Sequence, residues 1–181
     1  MNDLSLHALD VAQNSVTAGA GCVRIAILDD AGGMRTFRIE DDGCGMDEAL
    51  LRAVTSPFTT TRTTRRVGLG IPLLKMAAEM TGGSLRIESA PGRGTRLTAA
   101  FDTRSVDCPP LGDMGGTMQL LIGQRPDIRF VYDRQAPGGR FTLDTDELRR
   151  ELDGVPLDCP EVLGFIQQFV SDNEKELMEV R

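Results

Sequence analysis

Asp41-Asp-Gly-Cys-Gly-Met46 is the stretch that decides the fold, and it stands directly after a predicted strand, Met34 to Glu40. Apolar and polar residues alternate in that strand and in Val23 to Leu28 before it, and Asp30-Ala-Gly-Gly33 predicts a tight turn between the two. A carboxylate at a strand end, followed by two glycines, lets the backbone approach a flat ligand while the carboxylate accepts hydrogen bonds from it. The stretch therefore predicts a ligand site at one end of a hairpin.

The segment before the hairpin predicts a helix over Asp3 to about Ala18. One face of this helix is apolar. Another face carries polar residues spaced four, three and four apart, so that they lie together: Asp3, His7, Asp10 and Asn14. Most polar stripes of this kind are solvated surface. Placed before the Asp41 stretch, this one is also a candidate ligand-binding face.

A long loop and a second pair of glycines follow. Thr55 to Arg66 has no periodicity, and long loops inside compact domains are often functional lids. Its arginines and threonines suit phosphate oxygens. Gly68-Leu-Gly70 then opens a helix that runs to Met80, and a helix N-terminus also favours phosphate. The sequence lacks the motif of a P-loop and the third glycine of a dinucleotide-binding turn, so neither of those folds is expected.

The charge of the chain is uneven. Its 181 residues carry a formal net charge of −7, all of it within residues 105–181, because residues 1–104 are neutral overall. An acidic chain argues against nucleic acid as the main partner. Without a cationic leader or an apolar run of roughly 18 to 20 residues, neither a secretory signal nor a membrane span is expected. Four cysteines without a CxxC pair, and a single histidine, argue against zinc and favour reduced thiols in the cytoplasm.

The composition changes after Arg104, and a domain boundary is predicted there. Residues 1–104 form the first domain, and residues 105–181 form a small α+β C-terminal region. Cys108-Pro-Pro110 predicts a linker, and Pro137-Gly-Gly139 predicts the turn of a second hairpin, with helices before and after it. The function of this region stays unassigned, with a small core and a partner-binding surface both open.

The motifs in this order resemble the GHKL nucleotide-binding superfamily of gyrase, heat-shock chaperone, histidine kinase and mismatch-repair ATPases, over about residues 3–102. Leu9 to Ala20 and the Asp41 stretch look like the mismatch-repair branch. The histidine-kinase branch is resembled by three other stretches: Pro57 to Arg62, Gly68-Leu-Gly70 and Gly82 to Thr95. The fold that the resemblance implies is α+β, a two-layer α/β sandwich of Bergerat type with a mixed sheet and helices on one face, plus the small C-terminal α+β unit.

The resemblance implies a site for ATP and Mg²⁺. In it Asn14 would hold the metal, and Asp42 would accept a hydrogen bond from the adenine amino group. Gly45 would let adenine lie close, and Thr95 would join the hydrogen bonds around Asp42. Asp10 stands where the gyrase and mismatch-repair branch has a Glu that acts as a base, and it is the catalytic candidate. The lid region supplies the other expected nucleotide contacts: Phe58, Thr60, Arg62, Arg66, Gly68, Leu69 and Gly70.

The resemblance favours a protein kinase that acts in trans, because an ATP-binding domain is predicted here without the helix pair that presents a phospho-accepting histidine. His7 lies inside the metal-binding helix and is rejected as an acceptor; it is a candidate for positioning phosphate or its metal. A partner-driven ATPase or clamp and a non-catalytic ATP sensor are the alternatives. The expected partners are ATP or ADP and a protein, with no nucleic acid or membrane, and a homodimer stays open.

Overall fold

The structure is a computed structural model that describes residues 3–56 and 69–179, and its fold is α+β, as predicted. Its strands are β1 (Cys22–Asp29), β2 (Met34–Asp41), β3 (Ser84–Ser89), β4 (Thr95–Asp102), β5 (Arg129–Ala136) and β6 (Gly139–Asp144). Its helices are α1 (Leu4–Thr17), α2 (Glu48–Val54), α3 (Gly70–Met80), α4 (Met114–Gln124), α5 (Thr145–Glu151) and α6 (Pro160–Glu179). No helix in the described ranges is long and apolar enough to cross a membrane.

All six strands belong to one mixed sheet in the order β3-β4-β2-β1-β5-β6. Neighbours pair antiparallel except β1 and β5, which are parallel, with Cys22 opposite Arg129 and Leu28 opposite Gln135. The hairpin predicted in the C-terminal region is present as β5 and β6. This hairpin continues the sheet of the N-terminal region, whereas the sequence predicted a small unit beside it.

Within residues 3–56 and 69–179, helices cover one face of the sheet and leave the other open. Val23, Ile25 and Ile27 of β1 are fully buried beneath the helices, as their alternation with Arg24 predicts. One apolar cluster contains these residues together with side chains of α1, α3, α4 and α6. The open face carries exposed arginines, including Arg24, Arg86 and Arg96. The helix layer and the sheet therefore form a two-layer sandwich with a single core.

The start of α1 is tied to the segment before α4. The backbone N–H groups of Leu4 and Ser5 donate to the carbonyls of Pro110 and Leu111, each at 2.9 Å. From α4, the hydroxyl of Thr117 donates to the Ser5 carbonyl at 3.1 Å. Since α1 carries the candidate residues Asp10 and Asn14, the C-terminal region helps to hold the helix on which the site is built.

Helices α4 and α6 approach closely at Gly115. A Cβ added at this glycine would lie 2.6 Å from the carbonyl oxygen of Gln167 and would overlap the hydroxyl of Ser171. No larger residue fits here without moving one helix. The glycine therefore sets the spacing of the two helices.

A buried ionic network attaches α6 to the sheet. Arg134 of β5 is only 1% exposed at its side chain; it donates from Nε to Glu174 of α6 at 3.0 Å and from Nη2 to Asp29 of β1 at 2.7 Å. Arg35 also binds Asp29 through two hydrogen bonds. The hydroxyl of Tyr132 donates to the other oxygen of Glu174. Two cations and two anions therefore balance each other inside the core.

The charges of this network shift the pKa values of its members. Burial alone would raise the pKa of Asp29, but hydrogen bonds and charge from Arg35, together with Arg134, hold it below its usual range. Burial, and then the negative charge of Glu174, raise the pKa of Tyr132 well above its usual value. Tyr132 therefore remains a hydrogen-bond donor throughout the physiological pH range.

Candidate nucleotide site

A cavity of about 400 Å³ opens between α1, the end of β2 and the start of α3. Its walls are largely apolar: Val11, Met46, Leu50, Val54, Ile71 and Leu97. Polar side chains reach it from α1, β2 and β4: Asn14, Ser15, Thr17, Asp41 and Thr95. An apolar hollow of this size with a few polar groups is typical of a small-molecule site.

Asp41 is the acidic side chain of the cavity. As the last residue of β2 it shares the inward face with Ile39. Its Oδ2 accepts a hydrogen bond from the hydroxyl of Ser15 at 2.6 Å, and its Oδ1 accepts one from the N–H of Gly43 at 2.9 Å. Thr95 lies directly opposite Asp41 in the ladder of β2 and β4. These contacts fix the carboxylate while leaving it further capacity to accept hydrogen bonds.

Asp42, the predicted adenine contact, lies elsewhere. Its side chain is exposed, and its Oδ1 accepts hydrogen bonds from the backbone N–H groups of Gly21 at 2.8 Å and Cys22 at 2.9 Å. The alternation of β2 turns Asp42 away from the cavity and Asp41 into it. Of these two aspartates, it is therefore Asp41 that lines the cavity. The hydroxyl of Thr95, which was expected to join the hydrogen bonds around Asp42, lies 3.0 Å from the hydroxyl of Ser89.

Gly45 lines the cavity and has a positive φ of 68°. A Cβ at this position would overlap the carbonyl oxygen of Ala90, in the turn between β3 and β4. A Cβ added at Gly94, in the same turn, would likewise overlap the carbonyl oxygen of Asp41. Both glycines are therefore required because two backbone segments touch at the edge of the cavity.

Asp10 lies at the phosphate-favouring end of α3. A Cβ at Gly70 would overlap Asp10 Oδ2, so glycine is needed for the carboxylate to lie against the first residue of this helix. Leu69, at the N-cap, provides no side-chain hydrogen bond to the helix and is 59% exposed. The backbone N–H groups at this end are therefore not capped by that side chain, which suits an anion.

Asn14 is exposed at the cavity wall, one turn along α1 from Asp10. Its amide oxygen is a hard donor of the kind that Mg²⁺ accepts, with phosphate oxygens and water completing the shell. The residues present thus fit a metal-bound nucleotide. The remaining predicted contacts lie outside the residues that the structure describes: Phe58, Thr60, Arg62, Arg66 and Gly68.

A second hollow, of about 340 Å³, lies on the open face of the sheet. Across it Arg24 donates to Asp133 at 2.5 Å, and Arg38 and Arg140 also line it. It is on the opposite side of the sheet from the inward side chain of Asp41. The helix-side cavity, which combines apolar walls with a held carboxylate, is the candidate site.

The fold and this cavity define a nucleotide-binding α/β sandwich. Residues 2–105 match the family described as histidine kinase-, DNA gyrase B-, and HSP90-like ATPase. Because the match spans more than half of the chain, the chain belongs to this family of ATP-binding domains, as the motifs predicted.

Several relatives support this assignment. A putative sensor protein of Shewanella frigidimarina (strain NCIMB 400) is 33% identical over 96 residues, which are 51% of this chain and 15% of that protein. The signal transduction histidine-protein kinase AtoS of Escherichia coli (strain K12) is 33% identical over 92 residues, 50% of this chain and 15% of that protein. The chain therefore spans about 15% of the length of these two relatives.

A solved structure, described as the N terminal domain of a DNA repair protein, has a similar fold. The match covers 80% of this chain and 52% of the solved chain, with a TM-score of 0.54 and 13% sequence identity. At this identity the likeness shows the fold alone. It extends beyond residues 2–105 into the C-terminal region.

Proposed function

We propose that this protein binds ATP with Mg²⁺ in the cavity and transfers the γ-phosphoryl group to a separate protein, as a kinase acting in trans. The observation that carries the proposal is the carboxylate of Asp41, held by Ser15 and Gly43 within apolar walls. A carboxylate in such surroundings recognises a flat base that offers an N–H donor, as the amino group of adenine does.

The two ends of the cavity would bind the two ends of the nucleotide. Adenine would lie near Asp41 and Gly45, against the apolar walls. The phosphates would lie toward Asn14 and the start of α3, where backbone N–H groups and the helix dipole favour negative charge. Mg²⁺, held by Asn14 and the phosphates, would neutralise charge on the transferring group.

The transfer itself would break the bond from the γ-phosphorus to the bridging oxygen, so that ADP leaves with the electron pair. A new bond would form to an oxygen or nitrogen of the partner protein. Asp10, beside the start of α3, would accept the proton that the attacking group loses. Most of the rate would come from positioning and charge neutralisation, as in other phosphoryl transfers.

The relatives point to the type of partner. One is named a signal transduction histidine-protein kinase and another a sensor protein, so a protein of a signalling pathway is the proposed acceptor. The four cysteines are free thiols in the structure, which suits the cytoplasm as the proposed place of action.

Calorimetric titration of ATP and Mg²⁺ into two neighbouring variants tests the binding site. Asp41→Asn replaces an acceptor with a partial donor, and we expect ATP to bind about 10- to 100-fold more weakly, the loss of a hydrogen bond to a charged group. Asp42→Asn is the matched control, because its Oδ1 still accepts from Gly21 and Cys22. Equal affinity for ATP in both variants, or a loss of affinity only in Asp42→Asn, would refute Asp41 as the adenine contact.

Incubation with γ-labelled ATP and the products of adjacent genes tests the reaction. Label on a partner protein supports the kinase. Release of inorganic phosphate alone, abolished in Asp10→Asn, would instead show the partner-driven ATPase. ATP binding with neither outcome would show an ATP sensor and would overturn catalysis.

A further inference from the structure

Two buried polar atoms of α1 have no hydrogen-bond partner within residues 3–56 and 69–179: Nδ1 of His7 and Oδ2 of Asp10. His7 is 1% exposed, so its ring is enclosed by protein. A buried polar group without a partner costs about 1–3 kcal/mol, and such groups in native proteins call for an explanation. Two such atoms on one turn of the same helix point to one explanation for both.

The two side chains are neighbours. Residues three apart in a helix lie on the same face, with their Cβ atoms about 5–6 Å apart. The charge of Asp10 acts on His7: burial lowers the pKa of the imidazole, whereas Asp10 and then Asp3 oppose that shift. At this spacing the two side chains are within reach of each other, so a change of side-chain torsion would let Nδ1 contact Oδ2.

The chemistry of the pair settles which atom donates. Burial keeps the His7 ring neutral, so it carries one N–H and one acceptor nitrogen. An ionised carboxylate only accepts. A contact between the two atoms therefore requires the proton on Nδ1.

We propose that His7 is a positioning residue: its Nδ1–H donates directly to Oδ2 of Asp10 and so aims the carboxylate at the reacting group. The His7 ring is almost fully buried whereas Asp10 is partly exposed, so His7 acts through Asp10 rather than on phosphate or metal. Its burial also removes it from the reach of a phosphoryl group. The role of Asp10 as base rests on the proposed function; the contact itself does not.

The single histidine of the chain makes the contact directly measurable. In a nitrogen-labelled sample without an affinity tag, the imidazole NMR spectrum reports His7 alone and shows which nitrogen carries the proton. We expect Nδ1–H in the unaltered protein and a change to Nε2–H in Asp10→Ala. Asp3→Ala is the control, since Asp3 lies on the same stripe, and it leaves the tautomer unchanged. A proton on Nε2 in the unaltered protein, or on Nδ1 in Asp10→Ala as well, overturns the proposal.

Substitution of His7 tests the consequence for the reaction. Asn places its amide nitrogen near the position of Nδ1, whereas Gln reaches the position of Nε2. We expect His7→Leu and His7→Gln to lower kcat about 10- to 100-fold with little change in KM for ATP, the usual cost of losing an orienting partner. His7→Asn restores most of kcat. Equal kcat values in the three variants refute the positioning role, and because the NMR experiment needs no turnover, failure of the proposed kinase activity is distinguishable from failure of this inference.

Discussion

Removal of the Arg134 guanidinium should strongly destabilise the protein. The substitution Arg134→Met keeps the length and apolar stem of the side chain but removes its hydrogen bonds to Glu174 and Asp29. Asp29 keeps its two hydrogen bonds from Arg35. Glu174 keeps only the hydroxyl of Tyr132 and is left as a buried charge without a countercharge among the residues described.

The size of the effect follows from this imbalance. Breaking a buried ion pair by removing one partner costs about 3–5 kcal/mol, because the remaining charge stays desolvated. The lowered pKa of Asp29 means that its contribution to stability is present above the usual carboxyl pKa of about 4 and is lost as the pH falls through the lowered value. Protonation of Asp29 ends its attraction to Arg134 in the unaltered protein, so we expect the difference between the two proteins to narrow as the pH falls below about 4.

Urea unfolding at pH 7 and at a series of pH values below about 4, followed by circular dichroism, measures this difference. Arg140→Met is the matched control. Arg140 is an exposed residue of β6, so the same substitution there should change the free energy of unfolding by no more than about 0.5 kcal/mol. Restoring neutrality in the double variant Arg134→Met with Glu174→Leu should recover part of the loss. A loss below about 1 kcal/mol in Arg134→Met, or one equal to that of Arg140→Met, would show that the network does not hold α6.

Two glycine substitutions give further predictions. Gly115→Ala should destabilise by about 1–3 kcal/mol in thermal unfolding, because the new Cβ meets the carbonyl of Gln167, whereas Gly164→Ala on α6 meets open space and should stabilise by about 0.5–1 kcal/mol. A Gly115→Ala variant more stable than the Gly164→Ala variant would contradict the close approach of α4 and α6 at Gly115. Gly45→Ala should abolish ATP binding in calorimetry, since the Cβ overlaps the carbonyl of Ala90 and its φ is positive; retained affinity would show that the loop adapts.

The two adjacent aspartates show how much of the candidate site the sequence could predict. The Asp41 stretch lies at the cavity as the motif indicated, but Asp41 lines it and the side chain of Asp42 does not. Alternation along β2 separates them, because Phe37 and Ile39 face the core and Asp41 falls on their face, whereas Asp42 does not. The information was therefore present in the pattern. Ser15 was missed because it lies beside the polar stripe of α1, and only the structure brings its hydroxyl to Asp41.

The long-range pairing of the C-terminal region could not be predicted in the same way. The pattern of β5 predicts a strand with a buried face, but not which strand lies beside it. Its parallel pairing with β1 depends on contacts between segments far apart in the chain. The spacing of α4 and α6 at Gly115 is likewise a property of two surfaces rather than of one helix.

The place of β5 in the sheet has a practical consequence for work on the isolated ATPase region. The family match ends at residue 105, yet β1 has β5 as its neighbour on one side. A fragment cut after that point would leave β1 as an edge strand, with a row of free N–H and C=O groups ready to template another chain. Such a fragment should aggregate, so the ATP-binding half of this protein is best studied with its C-terminal strands attached.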